Sequence, residues 1–100
     1  MLPVKITELL VKLTKETESG NVIWEYDDFN TSVSLRHNNF NIKVEYSFNM
    51  IEEVGQFRIV YLELSTNSQR IFSTNQLYND YEIARRLFDS AQSSGLDIDF

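Results

Sequence analysis

His37 is the single histidine in the chain, and cysteine is absent. A nucleophile–base pair needs a second activated group beside the imidazole, and a zinc site needs three or four soft or borderline ligands. One imidazole next to an expected turn offers neither, so His37 reads as a surface residue. Asp27-Asp28 and Glu52-Glu53 are adjacent carboxylate pairs. Neighbours along a strand or loop diverge, whereas hydrolysis by paired carboxylates needs two groups facing each other across a cleft. Both pairs read as solvated turn residues. The three glycines, Gly20, Gly55 and Gly95, are isolated, which excludes a P-loop or dinucleotide-binding turn. Arg85-Arg86 is the one adjacent basic pair and the one candidate anion contact. On a helix, Arg85 flanks the buried stripe beside Tyr78 and Arg86 points away from it; Glu82 and Asp89 stand at pairing distance along the same helix. No catalytic constellation, metal set or cofactor motif emerges, and the chain reads as a non-enzyme.

The formal charge of −6 and the scatter of nine basic residues argue against direct binding to a nucleic-acid backbone. Acidity of this size fits a self-repelling surface, a basic protein partner, or mimicry of nucleic-acid charge. One hundred residues with 42% hydrophobic content, three Gly and one Pro are enough for a single domain with one core. Without cysteine that core must rest on packing alone. Lys5, Glu8, Lys12, Lys15 and Glu16 interrupt the N-terminal apolar residues, and no run approaches a membrane span. The expected location is cytoplasmic, where the Asn30-Thr31-Ser32 glycosylation triplet has no meaning.

Leu2, Ile6, Leu9, Leu10 and Leu13 form one helical stripe; Pro3 suits its first turn and Gly20 its stop, predicting a helix over roughly 3 to 18. Val22 to Tyr26 has strand composition, and Thr31 to His37 alternates. Asn38-Asn39 makes a two-residue connection into the clearest element, Phe40 to Phe48. There Phe40, Ile42, Val44, Tyr46 and Phe48 alternate with Asn41, Lys43, Glu45 and Ser47, giving one dry face. Phe57 to Leu64 is apolar on both faces, as in a central or doubly covered strand. Gln69 to Phe72 predicts a last short strand, and Ser73 to Gln76 has capping-box spacing. Leu77, Tyr81, Ala84, Phe88 and Ala91 then form the stripe of a second helix, ended by Ser93-Ser94-Gly95. Leu96 to Phe100 alternates and could add an edge strand.

These elements predict an α+β domain: an antiparallel meander of four or five strands with the N- and C-terminal helices on one face. Trp24, Tyr26, Phe57, Ile59, Tyr61 and Arg85 are the candidate partner surface. Either Phe57-Ile59-Tyr61 or Val60-Leu62-Leu64 must face away from the helices, and an apolar set there would mark an interface, including a homodimer.

An N-terminal amphipathic helix, Gly20-Asn21-Val22-Ile23-Trp24, a meander, and a closing helix with Leu77-Tyr78 and Ala84-Arg85-Arg86 together resemble a loose group of small uncharacterised bacterial and phage domains. The chain differs from that pattern in ending soon after the second helix. The resemblance implies the order helix, meander, helix, and no activity. The expected function is a non-enzymatic protein-interaction domain working through its second sheet face or its acidic loops. The alternatives are an acidic inhibitor of a basic, nucleic-acid-binding groove and a domain that binds a small ligand between helices and sheet.

Overall fold

Strict alternation between Phe40 and Phe48 folds as the middle strand of a five-stranded antiparallel sheet. A computed structural model describes residues 1–95. Its elements are α1 (Val4–Glu18), β1 (Glu25–Asp27), β2 (Ser32–Arg36), β3 (Phe40–Asn49), β4 (Val54–Glu63), β5 (Ser68–Asn75) and α2 (Tyr81–Ser93). The sheet order is β1-β2-β3-β4-β5, so each strand pairs with its neighbour in sequence. This is the α+β meander with a helix at each end that the alternation patterns predict. The tail strand expected over 96–100 lies outside the described residues.

Register decides which side of β4 is covered. Val33 pairs with Val44, Val44 with Ile59, and Ile59 with Phe72, forming one row on the helix side. Tyr46, Phe57 and Thr74 form the next row, and Phe57 and Ile59 are buried. The open choice on this strand thus resolves with Phe57 and Ile59 inward and Val60, Leu62 and Leu64 on the other parity. Leu10, Leu13 and Ile6 of α1 and Ala84, Leu87, Phe88 and Ala91 of α2 close the core over these rows. Each fully buried large side chain, such as Leu10, Ile42 or Leu87, contributes roughly 1.5–3 kcal/mol.

The end of α1 follows its sequence signal. Gly20 has φ +80°, and the Asn21 and Gly20 amides donate to the Glu16 and Thr17 carbonyls at 2.9 and 3.1 Å, a Schellman arrangement. Two buried threonines turn their hydroxyls back onto this helix: Thr14 to the Leu10 carbonyl and Thr17 to the Leu13 carbonyl, both at 2.7 Å. The Trp24 indole N–H donates to the Thr17 hydroxyl at 2.9 Å, so the buried ring has its polar atom satisfied.

Four local expectations are corrected. The first strand is only Glu25–Asp27, because the Trp24 amide donates at 2.8 Å to the Ser94 hydroxyl beside α2 rather than to a strand. Ser73 to Gln76 is no capping box: the ladder with β4 continues to Asn75 opposite Gln56, and Gln76 Oε1 accepts the Gly55 amide at 2.7 Å. α2 therefore starts at Tyr81, leaving Leu77 exposed instead of on the buried stripe. Phe48 shares the parity of the inner face yet is half exposed, opposite Gly55 and one rung from the end of the β3–β4 ladder.

Gly55 is required at the close approach of two rings. A Cβ there would stand 2.8 Å from Tyr46 Oη and 3.0 Å from Tyr81 Oη. Gly55→Ala should cost about 1–3 kcal/mol through displaced aromatic rings, read as a lower denaturation midpoint. Tyr46→Phe with Tyr81→Phe, which removes both oxygens, should recover part of that loss; equal stability of Gly55→Ala and wild type would disprove the crowding.

Candidate functional site

The expected partner residues separate into three groups. Trp24, Phe57 and Ile59 are core residues, at most 3% exposed, which corrects their assignment to a partner surface. Tyr61 is half-buried on the inner face, stacked on Phe40 at 5.3 Å between ring centroids. Tyr26 and Arg85 remain accessible. Tyr26 meets Phe88 edge-on at 6.4 Å, and Phe88 meets Phe57 at 5.5 Å. Arg85 joins Tyr46, Phe57, Tyr81, Phe88 and Asp89 around an open cleft of about 290 Å³. Its guanidinium is held by Glu82 at 2.7 Å and Asp89 at 3.1 Å, which leaves it paired rather than offered to an anion. Arg86 turns to Glu18 of α1 at 2.9 Å instead of to Glu82, clamping the two helices together.

The sheet face away from the helices is mixed. Lys43 and Arg58 flank Glu45 at 2.9 and 2.8 Å, and Val60, Leu62 and the half-exposed Ile71 form a short apolar strip toward β5. Acids and bases interleave here, as they do along α2. A second groove, about 600 Å³, lies between the start of α1 and the β4–β5 edge, floored by Ile6, Leu9, Tyr61 and Phe72 with Lys5, Glu63 and Arg70 at its rim. That groove offers the small-ligand reading room between helix and sheet. Among the described residues no group of three or more His, Asp or Glu side chains is placed to hold a metal ion.

The concentration of exposed apolar side chains is elsewhere, at the end of the sheet carrying the β1–β2, β3–β4 and β5–α2 connections. Phe29, Ile51, Met50, Leu77, Phe48 and Tyr78 are all exposed there, Phe29 by 96% and Ile51 by 94%. Local hydrogen bonding positions the tips. Asp27 Oδ1 accepts the Phe29 and Asn30 amides at 3.0 and 3.2 Å, and Asn49 Oδ1 accepts the Ile51 and Glu52 amides at 3.0 and 3.1 Å. Each turn closes on a left-handed residue, Thr31 at φ 50° and Glu53 at φ 55°. These Asx turns hold Phe29 and Ile51 outward as second residues of otherwise equivalent loops.

The same connections hold Asp27, Asp28, Glu52, Glu53 and Asp80 and no Lys or Arg. Asp27 is held below its ordinary pKa chiefly by the Asn30 side-chain amide, so its charge is secured by the turn itself. Asp80 is already used: it accepts the Leu2 amide at 2.6 Å and the Thr74 hydroxyl, tying the chain start to β5 and α2. Sequence reasoning named the carboxylate pairs but not the apolar tips. The alternation of loop and strand lengths that brings them to one end was the available signal.

Comparison with protein-family models, with curated proteins and with solved structures finds no match to this chain. No helix of the described residues is long and apolar enough to cross a membrane.

Two measurements check this geometry. Left-handed backbone at a β-branched residue costs about 1–2 kcal/mol, so Thr31→Gly should raise stability by about 1 kcal/mol, seen as a higher denaturation midpoint. A lower midpoint would contradict the strained turn. The Lys43 ammonium and then the Arg58 guanidinium hold the Glu45 carboxyl below its ordinary value of 4.5. Its contribution is present above that pH and is lost as pH falls through the lowered value. Glu45→Gln should therefore reduce stability near neutrality and narrow its gap to wild type below about pH 4.5; a pH-independent gap would exclude the linkage.

Proposed function

We propose that this chain is a non-enzymatic protein-interaction domain that docks by its turn-bearing end onto a cationic protein surface. The observation that carries the reading is the coincidence of exposed apolar tips, Phe29, Met50, Ile51 and Leu77, with turns whose charged side chains are all acidic. Apolar tips supply contact area, since solvated apolar clusters of this kind mark interfaces. The carboxylates around them select the sign of the partner and speed encounter. The preformed Asx turns support the reading further, because side chains already held outward lose little freedom on binding.

A second reading from the same charges is an acidic inhibitor that fills a basic, nucleic-acid-binding groove. The acids and bases interleaved on the outer sheet face and along α2 limit that reading to the turn-bearing end. In both readings the partner is cationic. They differ in whether nucleic acid competes for it.

The test is capture from a lysate with wild type and with Met50→Asp/Ile51→Asp, side by side. Both positions are exposed, so the variant should fold with an unchanged midpoint. Partners retained by wild type should be basic, released by raising salt from about 0.05 to 0.5 M, and lost by at least about tenfold in the variant, a fold-change equal to about 1.4 kcal/mol. Equal capture by both proteins would overturn the assignment of this end. Displacement of the captured protein by added DNA or RNA would select the inhibitor reading.

A further inference from the structure

The two edges of the sheet are built differently. β1 is three residues long and carries Glu25 and Asp27, and short charged edges resist strand addition. β5 is eight residues long, Ser-Gln-Arg-Ile-Phe-Ser-Thr-Asn, with no carboxylate and no proline, and most of it is exposed. Its one charge is Arg70, which shares the inner parity with Phe72.

The hydrogen-bond phase of that edge can be read off. In an antiparallel pair, residues bonded to the partner strand recur at every second position. The Gln76 amide donates to the Gly55 carbonyl at 3.2 Å, and the Leu64 amide to the Asn39 carbonyl at 3.1 Å. Both place Ser68, Arg70, Phe72 and Thr74 toward β4, so Gln69, Ile71 and Ser73 turn their amides and carbonyls away from the sheet. The contact of the Met1 ammonium with the Ser73 carbonyl at 3.3 Å agrees with that phase.

We infer that a second copy of this chain adds to β5, antiparallel about a two-fold axis through Ile71, joining the two sheets edge to edge. Self-complementarity argues for this occupant. With the axis at Ile71, Gln69 lies opposite the second copy's Ser73 and Arg70 opposite its Phe72, a cation against an aromatic face. Moving the axis to Arg70 would set two guanidiniums against each other. Each chain carries a charge of −6, so two copies repel least where no carboxylate lies in the contact, and β5 is that place among the sheet edges. The pairing also brings the Val60, Leu62 and Ile71 strips of the two copies together on the outer face, covering Ile71, which is 54% exposed in the single chain. The Met1 ammonium must share the Ser73 carbonyl or swing aside, which its own exposure permits. This inference is independent of docking at the turn-bearing end.

The experiment is sedimentation of the purified full chain over a dilution series, combined with amide exchange. The expected result is a concentration-dependent doubling of mass in wild type and in the distant control Ile23→Lys, with only monomer for Ile71→Lys. Amide exchange at Gln69 and Ile71 should slow as the wild-type concentration rises, a readout that does not depend on any variant folding. A monomer at every concentration, a dimer that Ile71→Lys leaves intact, or a dimer in which the Ile71 amide still exchanges freely would each overturn it.

Discussion

The row Val33–Val44–Ile59–Phe72 is the constraint on which the rest of the molecule depends. A strand has a side-chain period of two, so a slip of one residue in any of these pairings would turn an apolar face to water. Fixing this row fixes Tyr46 opposite Phe57 and, with it, Phe48 opposite Gly55. Only a glycine there leaves space for the Tyr46 and Tyr81 rings, which lets α2 begin where it does. From the start of α2 follow the Phe57–Phe88 contact, the Arg86–Glu18 clamp and the seat of α1.

Much of this architecture is legible in the sequence because periodicity reports burial directly. Phe40 to Phe48 is unambiguous over most of its length, and the stripes of both helices contain true core residues. The signal fails where an element's neighbours decide its role. Phe57 to Leu64 is apolar on both parities, and only pairing with Val44 and Tyr46 shows which side the helices cover. Ser73 to Gln76 satisfies a local capping pattern, yet three more rungs carry β5 on to Asn75. Trp24 and Phe57, candidate surface residues by sequence, each fill the core, Trp24 by way of a hydroxyl on α1 seven residues earlier. The turn-bearing end is hardest to read, since its residues are distant in sequence and meet through strand lengths.

The two ends of the sheet differ in polarity. At one end His37 stacks on Phe40 at 4.8 Å and Asn38, Asn39, Ser65 and Thr66 make polar connections. At the other, hydrogen-bonded turns hold apolar side chains out in water at the expense of left-handed backbone at Thr31 and Glu53. The outer sheet face, with Glu45 between Lys43 and Arg58, is by contrast electrically balanced.

Pairing each strand only with its sequence neighbour also sets an order of assembly. Every hairpin closes a short loop, so the meander can zip from any of its turns with little loss of chain entropy. α1 is different: beside the Trp24–Thr17 bond, it is tied from Glu18 to Arg86, and Leu2 just before it is tied to Asp80, across nearly the whole chain. The seat of α1 against α2 is therefore a contact between the two ends of the described chain, closed only when the second helix is in place.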